Sequence, residues 1–564
     1  MKVKKITSLL LAVILMLSLI LSGCNSSNSD KSSNGSNQSA TQDGKETNGE
    51  EPYVFTVFIG EPRQQPTKDN KIYKMIEEEL NVKFEFEFLV GDLDQKLGVM
   101  IAGDEFPDLI DSANSSEKTI NAGALVPLQD FISEEKTPNL WRQYVDYMNM
   151  MKAEDGNVYI LPNYGMYYND YIQTSYNGPA FWLQKQLLVD MNYPEIKTLD
   201  DYFDVIADYK AMNPEINGQP TVGFEILTFD WRAFTIKNAP AQLMGNPNDG
   251  GVIVDPDTGI AHLYANSSEE AKPYYKKLNE AYHDGLIEAD TFVQNYDEYI
   301  ARLSTGRVLG MFDQGWQAQT AIDALISQGL DQYTWVPFGI TYDENIKPWY
   351  RERPIPNYNR GFGVSVDADN PEKYIEVAEE LLSDKWQKIF TWGIEGEDYL
   401  VDDDGMFYRT QEQRDNAEDV NWKLANKAEA LYASLPKMQG LFDDGNAADP
   451  NSQPIEYQAT LKEIDKKILD AYGVDFYSEF VGDAPENRKD YPAWQVALGD
   501  GTEAAMADTK ISELQLKNLP TLILGDESAF DASWEEYIKQ YDDVNVQAYL
   551  DVVNEGLEKR RNEW

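Results

Sequence analysis

The stretch that decides the fold is "YVFTVFIGEPRQQPTKDNKIYKMIEEELNVKFEFEFLV" (residues 53–90). Its first eight residues are rich in β-formers and end at Gly60, and residues 82–90 alternate apolar and polar side chains as a half-buried strand does. Between them, apolar residues recur at helical spacing. A second helical pattern and a short strand around 109–110 follow. This β-α-β-α-β order predicts an α/β domain with a mostly parallel sheet flanked by helices.

The rest of the chain extends this alternation to about residue 410, after which helical patterns dominate. The chain is too long for a single hydrophobic core, so we expect two or three domains. In open α/β sheets, ligands bind beyond the carboxyl ends of the strands. The loop "EPRQQP" after Gly60 and the residues after Ile110 are therefore predicted cleft loops, and Arg63 and Asp108, both from loops of this part of the chain, are candidate ligand-binding residues.

The N-terminal segment has the pattern of an export signal. Three lysines within the first five residues precede the apolar run 9–21, which is shorter than the about 20 residues that span a membrane. The run ends in "LSGC", which resembles the bacterial lipobox, whose cysteine is acylated and becomes the first residue of the mature protein. We predict a signal peptide at 1–23, lipidation of Cys24 and a flexible Ser/Asn/Gly-rich tether over 24–52. The alternative is an uncleaved N-terminal anchor.

Composition limits the classes of ligand. The chain has 48 Lys and Arg against 97 Asp and Glu, a net charge of −49, so it lacks the basic footprint of a nucleic-acid-binding protein. A negative field of this size also favours a neutral ligand over an anionic one. The single cysteine excludes an internal disulfide.

Several motifs along the chain resemble one protein family. They are "LGVMIAGDEFPDLI", "DGNVYILPNYG", "PAFWLQKQLL" with "TLDDYFDVI", "HDGLIEAD", "GRVLGMFDQGW", "RGFGVSVDADNPE" and "WGIEGEDYLVDDDG". In this order and spacing the chain resembles the extracellular solute-binding proteins that feed carbohydrate ABC importers, in their large Gram-positive lipoprotein branch. Only the signal, the tether and parts of the last 150 or so residues lie outside the resemblance.

The resemblance implies a two-lobed, periplasmic-binding-protein-like α/β fold with a hinge of two or three crossing strands. Ligand binds between the lobes, which close on it. Chain order places lobe one at 53–162 plus 360–400 and lobe two at 168–355 plus 401–564, with crossings near 161–167 and 356–364.

We predict no metal and no cofactor. Some relatives carry a calcium loop after the helix that corresponds to 202–212, but "NPEINGQPTVGF" at this place lacks alternating oxygen ligands. The acidic stretches "DPDTG" (255–259) and "DDDG" (402–405) are interpreted as hairpin turns, with calcium as the open alternative.

A sugar site needs aromatic ring faces and polar side chains that hydrogen-bond to hydroxyls, together in one concave surface. Trp316 is the leading candidate, because it follows a strand on a Gly-containing turn where the family stacks an aromatic ring on sugar; the alternative is a core tryptophan. The other candidates share the cleft loops or crossings, with core packing, hinge packing or a hinge salt bridge as alternatives: Asp313, Gln314, Tyr164, Tyr167, Trp182, Trp231, Trp392, Arg360, Arg63 and Asp108.

The sequence favours a binding protein over an enzyme. It has two histidines and no G-x-S-x-G or H-E-x-x-H motif. We therefore predict a monomeric substrate-binding lipoprotein on the extracellular face of the cytoplasmic membrane. It would pass a neutral oligosaccharide, such as a plant-polysaccharide fragment, to an ABC permease. The alternatives are a surface-anchored glycoside hydrolase with a carboxylate pair and a peptide or siderophore receptor.

Overall fold

The computed structural model describes residues 51–167, 171–352, 356–483, 488, 490–499 and 501–563. The predicted signal peptide, Cys24 and nearly all of the predicted tether lie outside the described residues. Within the described part of the chain, no helix is long and apolar enough to cross a membrane.

The described strands form two main sheets and three small hairpins. In chain order they are β1 (Tyr53–Ile59), β2 (Val82–Phe88), β3 (Leu109–Asp111), β4 (Ile160–Pro162), β5 (Pro179–Gln184), β6 (Glu215–Ile216), β7 (Gln219–Pro220), β8 (Val222–Glu225), β9 (Val252–Val254), β10 (Ala261–Leu263), β11 (Val308–Gln314), β12 (Trp335–Phe338), β13 (Gly361–Val364), β14 (Leu400–Val401) and β15 (Phe407–Tyr408). The first sheet has the order β2-β1-β3-β13-β4 and the second β12-β5-β11-β8. Each sheet has its own large hydrophobic core, so the predicted two-lobed α/β fold is confirmed.

Both sheets are mixed, which corrects the prediction of mostly parallel sheets. In the first sheet β13 pairs antiparallel with β3 and β4, and in the second β5 pairs antiparallel with β11 and β12. The remaining strands of each sheet run in one direction. The reversed strand is in each case the one that the chain enters directly from the other lobe. Such a strand can pair antiparallel because it needs no crossover helix within its own sheet.

Helices cover the sheets. In chain order they are α1 (Lys71–Leu80), α2 (Leu93–Gly103), α3 (Ser116–Asn121), α4 (Pro138–Tyr144), α5 (Lys185–Asp190), α6 (Leu199–Met212), α7 (Phe234–Lys237), α8 (Ala239–Leu243), α9 (Lys272–His283), α10 (Tyr296–Leu303), α11 (Gly315–Ser327), α12 (Pro371–Leu381), α13 (Asp384–Thr391), α14 (Gln411–Glu418), α15 (Val420–Asn426), α16 (Glu429–Tyr432), α17 (Pro454–Thr460), α18 (Glu463–Tyr472), α19 (Glu503–Leu524), α20 (Phe530–Lys539) and α21 (Val546–Glu563). Strand β1 shows the layering, since Phe55 and Val57 belong to one core and Phe58 to another.

Most of the tryptophans in the helices and strands that pack against the sheets are buried. Trp386 lies in the lobe-one core, and Trp335 and Trp534 lie in the lobe-two core. Trp141 is partly buried against lobe one. Large aromatic side chains therefore supply much of the apolar area that each lobe removes from water.

Among the described residues, three connections between the lobes can be identified from the elements on either side of them. The first connection joins β4 to β5 and the second joins β12 to β13. The third runs from Ala448, in the lobe-one core, towards Ile468, in the lobe-two core. The first and third connections are hydrogen-bonded to each other, because the Thr174 hydroxyl donates to the Asn451 carbonyl oxygen at 2.9 Å. The predicted crossing 161–167 covers the start of the first connection, and 356–364 covers the end of the second together with β13.

The stretch from 401 to 448 packs on lobe one, although the sequence analysis placed it in lobe two. Its buried apolar side chains, among them Phe407, Leu431 and Phe442, belong to the lobe-one core. Only the buried residues from Ile468 onward join the lobe-two core. Helical periodicity showed that this stretch has an apolar face but did not show which sheet that face covers.

Asn70 anchors this stretch to lobe one, and its loss should be costly. Its Oδ1 caps α1 by accepting from two backbone N–H groups, and its Nδ2 donates to the carbonyl oxygens of Leu424 (2.9 Å) and Lys427 (2.8 Å). Because the side chain is buried, we expect Asn70→Ala to lower the free energy of unfolding by about 2–4 kcal/mol. The exposed N-cap of α2, Asp92, is the matched control; Asp92→Ala should cost only about 0.5–1 kcal/mol in the same urea titration. Equal losses in the two variants would contradict the assignment of 401–448 to lobe one.

Candidate functional site

The turn between β11 and α11 presents an exposed indole. Trp316 is the second residue of α11, is 44% exposed, and its Nε1 donates to Gln314 Oε1 at 2.8 Å, which fixes the ring. Gly315 is required beside it, because a Cβ at this position would lie 2.8 Å from the Trp182 ring and 3.0 Å from Asn177 Cα. The Trp182 ring and the Asn177 backbone therefore leave no room for a side chain at the first residue of α11, immediately before the exposed Trp316.

A second exposed indole stacks beside the first. Trp231 is 62% exposed, and its ring lies 5.9 Å from that of Trp316, centroid to centroid, with an angle of 15° between the planes. The Arg232 guanidinium lies over the rings of Trp231 (4.8 Å) and Tyr296 (4.3 Å). This cation–π contact holds the edge of the stack in place.

A third exposed indole, Trp494, completes the surface, and the sequence analysis did not single it out. It is 57% exposed and sits on a short 3-10 turn that Asp249 holds, since the Ala493 N–H donates to Asp249 Oδ1 at 2.7 Å. Gly250 packs under the same turn: a Cβ there would lie 2.9 Å from the Trp494 Cβ, and its φ of +79° favours glycine.

The three indoles border two neighbouring cavities, which together we call the aromatic groove. The hinge-side compartment, of about 430 Å³, extends to Tyr164 and Glu352. The second, of about 400 Å³, extends to the C-terminal helices and is called the C-terminal compartment. The compartments share Asn248, Gln314, Trp316 and Trp494 as lining residues. A ligand that occupies both compartments would therefore pass Trp316 and Trp494.

Glu352 is the one carboxylate among the described residues that line the hinge-side compartment. Its oxygens accept hydrogen bonds from the Asn248 N–H (2.5 Å) and from the Tyr491 hydroxyl. Burial raises the pKa of Glu352 to about 7. The two hydrogen bonds favour the charged form and so oppose this increase.

Lobe one contributes a more polar surface across the hinge. Tyr164 is 51% exposed and lines both the hinge-side compartment and a further cavity of about 430 Å³ that also contains Tyr167 and Lys437. The Lys437 ammonium lies 4.9 Å from the Tyr432 ring. Burial, with added repulsion from Arg63 and Arg360, lowers the pKa of Lys437 to about 8.

Comparison with known proteins identifies the family. A family model of bacterial extracellular solute-binding proteins matches residues 71–383. The chain belongs to this family.

Two curated relatives are similar in sequence. The fructooligosaccharide ABC transporter substrate-binding protein FusA of Streptococcus pneumoniae is 23% identical over 248 residues, 41% of this chain and 44% of FusA. Lipoprotein LipO of Bacillus subtilis is 24% identical over 376 residues, 62% of this chain and 66% of LipO. The chain thus spans less than half of the first relative and about two thirds of the second.

Solved structures share the fold over nearly the whole chain. An HMO binding ABC-transporter associated solute binding protein from Bifidobacterium longum infantis has a TM-score of 0.60 at 17% identity, covering 90% of this chain and 99% of that one. FusA in complex with kestose has a TM-score of 0.59 at 15% identity, covering 91% and 100%. At these identities the likeness concerns the fold.

Within this solute-binding fold, the predicted site residues fall into three groups. Trp316, Trp231, Gln314 and Tyr164 line the aromatic groove, and Tyr167 lines the adjoining lobe-one cavity. These five side chains stay candidates for ligand contact.

Three predicted site residues lie inside the lobes, which corrects their assignment to the cleft. Asp313 is fully buried, and its carboxylate accepts from the Tyr299 hydroxyl, Gln317 Nε2 and the Gln314 N–H, all at 2.6 Å. Burial raises the pKa of Asp313 to about 6. Trp182 is core in lobe two and donates to the Asp313 carbonyl oxygen at 2.8 Å.

Trp392 is likewise core in lobe one. Its Nε1 donates to the Ala447 carbonyl oxygen at 2.8 Å, and its ring packs against Tyr399 and Phe407. The ring is covered because residues 401–448 fold back over lobe one.

Three charged candidates are held by lobe-one partners. Glu61 forms ion pairs with both Arg63 (2.8 Å) and Arg360. Asp108 pins β3 to β1, accepting from the Thr56 N–H (2.8 Å) and its hydroxyl (2.7 Å). None of Arg63, Arg360 and Asp108 is among the described residues that line the aromatic groove.

The predicted turns are confirmed at both acidic stretches. Asp255 closes the β9–β10 hairpin and Asp402 closes the β14–β15 hairpin. Where some relatives carry a calcium loop, β6 and β7 form a tight hairpin around Asn217 and Gly218, both with positive φ. The described residues contain no group of three or more His, Cys, Asp or Glu side chains that could hold a metal ion.

The raised pKa of Glu352 predicts a pH dependence of stability. Between about pH 4.5 and 7, the Glu352 carboxyl is deprotonated in the unfolded chain but keeps its proton in the folded protein. The free energy of unfolding therefore falls as pH rises through this window. Glu352→Gln removes this penalty. We expect the stability of the variant relative to wild type to increase by roughly 1–3 kcal/mol between pH 4.5 and 8, measured by urea denaturation at fixed pH values.

Glu134→Gln is the control, because Glu134 is an exposed glutamate outside the groove. Its stability difference from wild type should stay constant over the same pH range. A constant difference for Glu352→Gln as well would show that this carboxyl is not protonated in the folded state.

Proposed function

We propose that the protein is the substrate-binding component of a carbohydrate ABC importer, and that it captures an oligosaccharide in the aromatic groove. The observation that carries the proposal is the stacked pair of exposed indoles, Trp231 and Trp316, whose planes are nearly parallel, with Trp494 lining both compartments of the groove. Soluble proteins rarely leave three indoles exposed in one concavity unless the surface binds something.

The groove also supplies polar groups of the kind that sugars need. Gln495 is among the residues that line the hinge-side compartment, and its Oε1 is buried without a hydrogen-bond partner in the described structure. An unsatisfied buried acceptor is costly, and a ligand hydroxyl would satisfy it. Indole faces cover the C–H faces of a pyranose or furanose ring, while such amides bond its hydroxyls.

The relatives support a carbohydrate over other solutes. FusA is named as a fructooligosaccharide-binding protein and its structure holds kestose. A peptide receptor would offer unpaired backbone edges rather than ring faces. The indole surface does not require charge on the ligand, in keeping with the neutral oligosaccharide that the net charge favours.

Closure of the two lobes would complete the site. Lobe two carries the indoles, and lobe one presents Tyr164, Tyr167 and Lys437 across the connections. A ligand that touches both lobes stabilises the closed form by its additional contacts there. The closed monomer would then dock on the permease subunits, with no bond broken in the ligand.

Glycoside hydrolysis is the alternative that the groove supports less well. It needs two carboxylates about 5–9.5 Å apart around one bond. Among the described lining residues, each compartment has a single carboxylate, Glu352 in one and Asp508 in the other. The histidines are engaged elsewhere: His262 contacts Glu270, and His283 contacts the Gly525 carbonyl.

Trp316→Ala tests the proposal. Loss of one stacked indole should weaken oligosaccharide binding by roughly 10- to 100-fold, while the free energy of unfolding changes by less than about 0.5 kcal/mol because the ring is half exposed. Binding is measured by calorimetry on residues 53–564 against fructo-, xylo- and manno-oligosaccharides. Trp422→Ala, on α15 of lobe one, is the matched control and should leave affinity unchanged.

Two results would count against the proposal. Unchanged affinity in Trp316→Ala would remove the indole surface from the binding site. Shortened products after incubation of wild type with its best ligand would favour the hydrolase.

We further propose that Cys24 carries the lipid that holds the protein outside the cytoplasmic membrane, as the lipobox pattern and the similarity to lipoprotein LipO suggest. Acyl chains on one residue hold a protein stably at a bilayer only when there are two or more. We expect Cys24→Ala to move the protein from the membrane fraction to the culture medium and to abolish labelling by a fatty-acid analogue. Membrane retention equal to wild type would point to an uncleaved anchor.

A further inference from the structure

The C-terminal compartment has a wall that the family match does not include. The matched region ends at residue 383. The wall comes from α19 and α21, through Asp508, Ile511, Ser512, Gln515 and Tyr549, with Trp494 at its rim. The opposite side comes from lobe two within the matched region, including Phe234 and Lys237.

This wall is a fixed part of lobe two. Ile511 and Tyr549 belong to the lobe-two core, and α19 packs against both α21 and α9. Asn279 on α9 also holds the end of α19, because its Nδ2 donates to the carbonyl oxygens of Leu522 (3.2 Å), Ile523 (2.9 Å) and Gly525 (2.9 Å). The compartment therefore moves as one body with Trp316 and exists before the lobes close.

The polar groups of the compartment have spare hydrogen-bonding capacity. The Lys237 ammonium donates to the Ser512 hydroxyl at 3.2 Å, and neither Lys237 nor Asp508 forms an ion pair within the described structure. Burial lowers the pKa of Lys237, and the nearby Asp508 charge opposes this. A donor and an acceptor that face one cavity without pairing suit a group that can accept from one and donate to the other, as a hydroxyl does.

We infer that the C-terminal compartment is a second sugar subsite, which binds neutral glycosyl units that extend beyond the unit stacked on Trp316, and that it makes affinity depend on oligosaccharide length. The inference rests on the proposed function. Trp316 and Trp494 line both compartments, so a chain that leaves the hinge-side compartment passes over their rings into this one.

The charges of the compartment define the class of unit. Lys237 and Asp508 line the same compartment with opposite charges, so a charged substituent of either sign is attracted by one side chain and repelled by the other. Because hydroxyls satisfy both side chains, the extending unit is a neutral hexose or pentose. Ligands that fill only the hinge-side compartment leave these groups to water.

A length series tests the inference. The probes are the members, from disaccharide to hexasaccharide, of whichever oligosaccharide series wild type binds in the calorimetric panel. For wild type we expect affinity to rise at least tenfold from the shortest to the longest member and then to level off. Ser512→Trp fills the compartment, and the ratio of affinities between the longest and shortest members should fall to about one.

Thr509→Trp is the matched control, because Thr509 is an exposed residue of the same helix and does not line the compartment. It should keep the wild-type dependence on length. Lys237→Met gives a second readout that adds no bulk, and it should reduce the length-dependent gain at least threefold.

The outcomes separate this inference from the proposed function. Binding that does not depend on length in wild type, or a Ser512→Trp variant that keeps the full gain, overturns the subsite and leaves the oligosaccharide-binding proposal standing. Failure of wild type to bind any member of the panel overturns both. A selective loss of the gain in Ser512→Trp and Lys237→Met, with Thr509→Trp unaffected, supports the subsite.

Discussion

A buried tryptophan supports the exposed ones. Trp182 lies on β5 beneath the turn between β11 and α11, where its Nε1 donates to the Asp313 carbonyl oxygen and its ring leaves no room for a side chain at Gly315. Because β5 and β11 are paired through Met311 and Trp182, the position of this indole is set by the sheet itself. The backbone that carries Trp316 is therefore positioned by the lobe-two core, and the hydrogen bond to Gln314 orients the ring on it. A stacking surface that is already ordered loses little conformational entropy when ligand binds.

The same packing explains what could be predicted from the sequence. β1, α1 and β2 were predictable because each buries a regular apolar face against a neighbour close in the chain, so that local periodicity carries the information. The position of Trp316 was predictable for a related reason: a glycine between a buried strand and a helix marks a tight turn. The burial of the Asp313 side chain was not predictable, because its direction is decided by Tyr299 and Gln317, which bind the carboxylate from neighbouring helices.

Long-range partners account for the other differences. Trp392 is core because residues 401–448 cover it, and their helical pattern shows an apolar face without naming the lobe that receives it. Trp494 was missed because its exposure depends on a hydrogen bond between its turn and Asp249, 244 residues earlier in the chain. It lies on a turn that is too short for hydrophobic periodicity to indicate which side chains are exposed. Sequence patterns thus gave the architecture and the leading indole, whereas the full extent of the groove depends on contacts between distant segments.

The distribution of chemistry between the lobes suggests an order of events in the proposed function. Lobe two offers apolar ring faces that are in place before ligand arrives, and lobe one offers Tyr164, Tyr167 and the partly desolvated Lys437. Stacking on an apolar ring requires contact but no precise alignment of polar groups. It therefore suits the first encounter between protein and ligand. If the lobes close on the ligand as proposed, the lobe-one groups would lose hydration, and ligand hydroxyls would replace the lost hydrogen bonds. If the cleft were empty or held a purely apolar molecule, these lobe-one groups would have no hydrogen-bond partners after closure. In the proposed function, closure would therefore be favoured only when a hydroxyl-bearing ligand already lies on the indoles. In the proposed function, selectivity for sugar would thus arise at closure, on the lobe opposite the surface that first holds the ligand.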